Sequence, residues 1–246
     1  MTNRRAEIEA RLLAVRQEIA QAVVDSGRDR ADVTLIVVTK TKPASDLHLL
    51  ADLGVTEVGE NRDQEAREKH GECADLALRW NFIGQLQTNK CPSVVSYADR
   101  IHSVDRVKLV NALSRAVIAR READGAGSVP DLECLVQVNL DPMAAAVGSP
   151  GHRGGVQPAE VRGIGDAIAQ ADGLRLGGLM AVAPLGEDPR PAFERLREVS
   201  DRIADGHPSA TIISAGMSGD FVAAIKAGAT HVRMGAAVLG HRPTVR

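Results

Sequence analysis

The chain switches again and again between two hydrophobic rhythms, and that alternation limits its fold more than any other feature. A helical stripe comes first. Ile8, Leu12, Val15, Ile19 and Val23 recur at spacings of four, three, four and four, which places them on one face of a helix over residues 4–24. At Val33–Val38 the pattern becomes a continuous run of mostly β-branched residues, as in a parallel strand buried on both faces. Pro43 and Ala44 then open a helix that Gly54 ends. Similar units follow. Strands are predicted over 56–59, 79–83, 100–103, 133–138, 174–180, 211–214 and 231–234. Helices are predicted over 60–70, 90–96, 106–121, 158–171, 191–205 and 219–227, with a short turn last. Eight parallel-type strand–helix units predict an α/β fold, a single (β/α)8 TIM barrel. Residues 1–246 are read as one domain, with an N-terminal helix (1–30) packed on the barrel.

Composition narrows the function. Aromatics are 2% of a chain that is 44% hydrophobic, so Val, Leu, Ile and Ala must build the core. The net charge is -2 and the basic residues are scattered, which argues against nucleic acid as a partner. Cys73, Cys91 and Cys134 make no CxxC pair, and none of the seven histidines forms HxH or HxxxH, so no metal is expected. His48 and His70 read as helix-surface residues, and His231, at a strand start, as structural. The start, MTNRRAEIEARLL, lacks an apolar targeting segment. The expectation is a soluble cytoplasmic protein with no membrane span, a monomer or weak dimer.

In a barrel the polar groups that matter follow the strands. Thr39-Lys40-Thr41-Lys42 follows strand one, Gly59-Glu60-Asn61 strand two, and Gly84-Gln85 strand three. Ser214–Asp220 follows strand seven, and Arg233, Gly235 and Ala236 lie at strand eight. Strand alternation puts Lys40 on the face of Val38. If that face is inward, partial desolvation yields the neutral amine that attacks an aldehyde; a strand-end lysine with a solvated head is the commoner reading of such a run. The small residues of Ser214–Asp220 suit a phosphate held by backbone N–H groups, in the position where barrels often hold one; simple helix capping by Ser218 is the alternative. Together, a lysine and a phosphate cradle on neighbouring strands match the two handles of an aldehyde phosphate. The long segment 141–155 lies over the same end, as an insertion or as a mobile cover.

Longer motifs add a resemblance. Val38-Thr39-Lys40-Thr41-Lys42-Pro43 resembles the VSKTKP run of the YggS/PROSC family of pyridoxal phosphate homeostasis proteins, and Gly59-Glu60-Asn61 its GEN. Trp80–Lys90 is similar to its WHFIGxLQxNK, Gly178–Ala181 to RGLMA, Ser214–Ser218 to SLGMS, and Val232–Gly235 with Gly240 to VRIGTxIFG. The motifs span 33–242 in family order. The resemblance implies an alanine-racemase N-terminal type barrel with pyridoxal 5'-phosphate (PLP) as a Schiff base on Lys40, not Lys42. It implies phosphate contacts from Ser214, Gly216, Met217, Ser218 and Gly235, Asn61 near the ring, and Arg233 facing the pyridine nitrogen. Arginine stays protonated, so it disfavours the pyridinium form and weakens the ring as an electron sink. The chain departs from the family pattern at Asn81, where His is usual, at Ala236 in place of Thr, and at His152-Arg153-Gly154-Gly155 in place of an SKSG-type segment. Arg153 could keep a positive charge but cannot act as a neutral amine.

A barrel racemase takes its second base from a tyrosine of another domain. Tyr97, the only tyrosine, precedes strand four at the opposite end. No residue is therefore expected to be catalytic. The expected role is to carry or buffer PLP, with apo PLP-dependent enzymes as further partners. A weak racemase-like enzyme is the alternative, and a sugar-phosphate aldolase using Glu60 is a third reading.

Overall fold

Strands of three to eight residues that are buried on both faces need a sheet that closes on itself and is covered outside, and both conditions are met here. The computed structural model describes residues 4–29, 32–125, 127, 129–141 and 154–240. Helix α1 (Arg4–Asp25) precedes eight strands: β1 (Thr34–Val38), β2 (Glu57–Glu60), β3 (Arg79–Phe82), β4 (Arg100–Val104), β5 (Leu132–Val138), β6 (Leu174–Ala181), β7 (Ile212–Ser214) and β8 (His231–Met234). The strands run in chain order around a closed barrel, and β1 completes it by pairing in parallel with β8. The helices between them are α2 (Ala44–Asp52), α3 (Asp63–Glu72), α4 (Cys91–Val95), α5 (Val107–Asp124), α6 (Val161–Gln170), α7 (Arg190–Ala204) and α8 (Phe221–Lys226); α9 (Ala236–Leu239) comes last.

The helical stripe of α1 is buried as its spacing predicts. Ile8, Leu12, Val15, Ile19 and Val23 pack with Val37, Leu50, Phe221, Ile225 and Val238, each such side chain contributing roughly 1.5–3 kcal/mol. Arg4 fastens the same helix to Asp46 (Nη2–Oδ2 2.6 Å) and to the Leu239 carbonyl (3.0 Å). Val37 therefore faces outward, and Ile36 and Val38 face the lumen. The register slips between Cys134 and Leu135, opposite Gly178. There Gly178 has φ 145°, and a Cβ would lie 2.1 Å from the Ile212 carbonyl oxygen.

Two expected boundaries move for physical reasons. The helix expected at 60–70 starts at Asp63, because Glu60 is the buried last residue of β2. The terminal turn is a short helix, α9, whose last carbonyls Lys42 caps (Nζ to Leu239 O 3.1 Å, to Gly240 O 3.0 Å). Most of segment 141–155, including His152 and Arg153, lies outside the described residues. Among those described, no helix is long and apolar enough to cross a membrane.

Candidate functional site at the carboxyl ends of the strands

A column of polar side chains fills much of the lumen, and it rises toward the strand ends. At the bottom, Glu133 on β5 accepts from Arg79 (2.8 Å), from Arg100 (2.5 Å) and from Arg175 (2.5 Å). Arg100 also donates to Glu57 on β2 and to Asn81 Oδ1 on β3, both at 3.0 Å. Burial alone would raise the Glu133 carboxyl, but the arginines outweigh it and its pKa is lowered.

The middle of the column fixes a tautomer. Asn81 Nδ2 donates to Glu57 and to the Val58 carbonyl, both at 3.1 Å, so Oδ1 is its acceptor. His102 Nε2 lies 3.0 Å from that Oδ1 and must carry the proton. His102 Nδ1, 3.0 Å from Ser214 Oγ, is then an acceptor from the Ser214 hydroxyl. The contact joins β4 to β7, which are not neighbours, so it crosses the lumen. Complete burial, with Arg233 and Arg100 nearby, holds the His102 pKa well below 6.5.

Arg233 ends the column. Its guanidinium donates to Ser214 Oγ (2.7 Å) and to the Ala181 carbonyl (2.9 Å) at the end of β6. It is 4% exposed, and burial brings its pKa down to about 10, so it stays charged at neutral pH. Among the described residues it makes no ion pair with a carboxylate. A buried cation held only by neutral acceptors is an unusual state, and it suits a ligand that brings an acceptor to this spot.

Around Arg233 the strand ends carry the other expected residues. Lys40 lies in the turn after β1 and is exposed, the solvated one of the two alternatives that the run leaves open. The strand stops at Val38, and Lys42 N–H closes a turn onto the Thr39 carbonyl at 3.0 Å. The cap on α9 ties down Lys42, whereas Lys40 is held by no comparable contact among the described residues. Asn61 is half-buried, and its Oδ1 is shielded from water without a hydrogen-bond partner among the described residues. Gly84 packs so tightly on this loop that a Cβ would stand 2.3 Å from the Asn61 carbonyl oxygen.

The Ser214–Asp220 loop differs from its expected form. The Ser214 hydroxyl points into the lumen, onto His102 and Arg233, rather than toward a phosphate. Met217 N–H donates to Asp220 Oδ1 (2.6 Å), so a phosphate there would have to displace a carboxylate. Ser218 is exposed and does not cap α8, whose N-cap is Asp220. Gly216 has φ 91°, and a Cβ there would meet Ala224 and Phe221 at 2.8 Å. A cavity of about 370 Å3 beside this loop is lined by Gln85, Gln137, Asn139, Gly154, Val182 and Met217. Larger hollows, of about 560 to 610 Å3, lie around Trp80 and Tyr97, between α1 and the start of β1, between α4 and α5, and between α6 and α7. None of these is lined by Lys40, Asn61 or the Ser214–Asp220 loop, whereas the smaller one reaches Met217 at the carboxyl ends of the strands, where barrels build their sites.

Comparison with known proteins fits this geometry. Residues 21–243 match the alanine racemase N-terminal domain family. A pyridoxal phosphate homeostasis protein of Corynebacterium glutamicum is 41% identical over 219 residues, covering 89% of this chain and 95% of the relative. This chain belongs to the pyridoxal phosphate homeostasis protein family. The Escherichia coli homeostasis protein is 36% identical over 96% of this chain and 97% of its own. PipY of Synechococcus elongatus, a structure solved with PLP bound, matches with TM-score 0.78 and 30% identity, covering 95% of this chain and all of that one. An alanine racemase of C. glutamicum shares the fold alone, at 14% identity and TM-score 0.62, with 62% of its length covered. Within this homeostasis-family chain, sequence reasoning missed three parts of the site. They are His102, the buried Lys69, and Gln137, which accepts from the expected Gln85 (Nε2–Oε1 2.6 Å).

Proposed function

We propose that this chain carries pyridoxal 5'-phosphate, bound through Lys40, and buffers or delivers it to apo PLP-dependent enzymes in the cytoplasm. The observation that carries the reading is Arg233, a buried cation without a carboxylate partner among the described residues, beneath an exposed lysine on the neighbouring strand. The cofactor supplies an aldehyde that condenses with an amine, with loss of one water. Lys40 Nζ is the amine, exposed and without a side-chain contact among the described residues. Arg233, aligned by Ser214 and Ala181, offers N–H donors to a ring nitrogen and keeps that nitrogen unprotonated. Asn61 Oδ1, without a donor among the described residues, would accept from a ring hydroxyl. Backbone N–H groups of Gly216–Ser218 and Gly235, with the hydroxyl of Ser218, would hold the phosphate, in competition with Asp220 for the Met217 N–H. Ser214 acts on the phosphate only indirectly, since its hydroxyl is committed to the lumen.

Carriage rather than turnover follows from what faces Lys40. A second base needs reach before it needs a suitable pKa. Tyr97 is buried at the other end of the barrel against Trp80 (ring centroids 6.4 Å) and His70 (6.1 Å). The Glu60 carboxyl has Oε1 shared by Lys69 and Thr39 at 2.7 Å. Burial raises its pKa although both bonds oppose the rise. The three cysteines are free and buried, which suits a reducing compartment. The test is the visible absorption spectrum of purified protein before and after borohydride, for wild type and Lys40→Ala. A band that borohydride traps on Lys40, absent from the variant, supports the reading; no band even after added PLP overturns it. Transfer to an apo-enzyme without α-proton exchange in added amino acids then separates carrier from enzyme.

A further inference from the structure

Lys69 is the one fully engaged buried ammonium of the described residues that the proposed function leaves unused. It projects from α3 to the underside of the Lys40 turn, and its side chain is 7% exposed. Its three donors go to Glu60 Oε1 (2.7 Å), Glu65 Oε1 (2.6 Å) and the Thr39 carbonyl (2.8 Å), which accounts for all the protons an ammonium has. Thr39 immediately precedes Lys40. The same Glu65 Oε1 accepts the backbone N–H of Thr41, which immediately follows it. One ion pair thus grips the peptide groups on both sides of Lys40 and leaves the Lys40 side chain alone.

The grip works against a conformational preference. Thr41 has φ 64°, the only positive φ at a non-glycine among the described residues. A β-branched residue holds that left-handed conformation only when its surroundings enforce it. The enforcing contact is the Glu65 acceptor, which Lys69 in turn orients. Burial would raise the Glu65 carboxyl, but Lys69 and the Thr41 N–H outweigh it and its pKa is lowered, so the acceptor stays ionised.

We infer that Lys69, acting through Glu65, is a positioning residue that presents Lys40 to the cofactor by holding Thr41 in the left-handed region. The inference rests on the assignment of Lys40 as the attachment point. Without the clamp the turn relaxes to negative φ and carries the Lys40 Cα away from the strand end.

Lys69→Met strands Glu60 and can unfold the barrel, so the decisive variant is Glu65→Ala. It removes the acceptor of the Thr41 N–H, keeps the Lys69–Glu60 pair, and alters a side chain that is 24% exposed. The measurement is the rate at which added PLP forms a borohydride-reducible adduct on Lys40, followed by peptide mass spectrometry, beside the urea midpoint. Glu65→Ala is expected to load about ten-fold slower or worse, since small misplacements of a reacting group carry penalties of that order. Glu65→Gln, which keeps the acceptor oxygen, stays within about two-fold of wild type on the same reasoning. Thr41→Asn in the Glu65→Ala background recovers loading, because Asn tolerates the left-handed region unaided. Wild-type loading in Glu65→Ala, or no recovery with Thr41→Asn, overturns the inference and leaves Lys40 as the attachment point. Failure of the wild type to form the adduct overturns both.

Discussion

Acidification should destabilise this barrel well before its carboxylates titrate, and the cause is two histidines in the lumen. His231 is 8% exposed, and burial chiefly, with Arg100 adding to it, brings its pKa down to about 3. His102 lies well below its ordinary 6.5 for the same reason. A histidine with a depressed folded pKa binds its proton in the unfolded chain first. Stability is therefore full above about pH 7, falls as pH drops through 6.5, and for His231 stops falling near 3. At about pH 5 His231 alone forfeits ~2 kcal/mol, and His102 adds a loss of the same sign. Glu60 works in the opposite sense, because its raised pKa means that acid relieves a penalty. The His231→Asn variant isolates the effect, since other groups cancel in the difference. Urea unfolding at steps from about pH 7 to about pH 5 should show the wild type losing ~2 kcal/mol more than the variant. Equal losses in the two proteins would refute the reasoning.

Other consequences follow from single residues. Glu133→Gln removes the charge that three arginines share and should cost about 3–5 kcal/mol, read as a lower urea midpoint. An unchanged midpoint would mean that the lower part of the column is solvated. Gly84→Ala drives a methyl group into the Asn61 carbonyl oxygen, 2.3 Å away. It should cost roughly 1–3 kcal/mol and weaken PLP binding in equilibrium dialysis; wild-type affinity would remove Asn61 from the site. Lys42→Met should lose about 1 kcal/mol from the uncapped α9 and still be labelled by PLP and borohydride at Lys40. Loss of that label would reassign the attachment point.

The barrel was legible because short strand-like segments recur in alternation with helical ones, led by the β-branched run of β1. The column inside it was not. His102 sits in Arg-Ile-His-Ser-Val, a segment that reads as an ordinary strand. Only closure of the barrel sets β4 across from β7, so the contact with Ser214 has no trace in sequence spacing. Lys69 hid for a different reason. On a polar helix, Glu65 and Lys69 at i, i+4 look like a solvated surface pair, yet the helix lays that face over the end of β1. Alternation along β1 left Lys40 open between a lumen-facing and a solvated head; the head is exposed because the turn begins one residue beyond the strand and ends the extended geometry on which alternation depends.

The substitution at position 81 shows what the lumen demands. The related motif carries histidine where this chain has Asn81. In this structure the side chain accepts from Arg100 and His102 at once, on one oxygen, and donates below to Glu57 and the Val58 carbonyl. An amide meets all four demands in one orientation. A neutral imidazole has a single acceptor nitrogen and a single N–H, so it cannot accept from both Arg100 and His102 while also donating to Glu57 and the Val58 carbonyl. With Asn81 the tautomer of His102 is dictated, the Ser214 hydroxyl must point at His102, and its lone pairs are left for Arg233. The orientation of the cation at the mouth is thus set by an amide on β3, two side chains away.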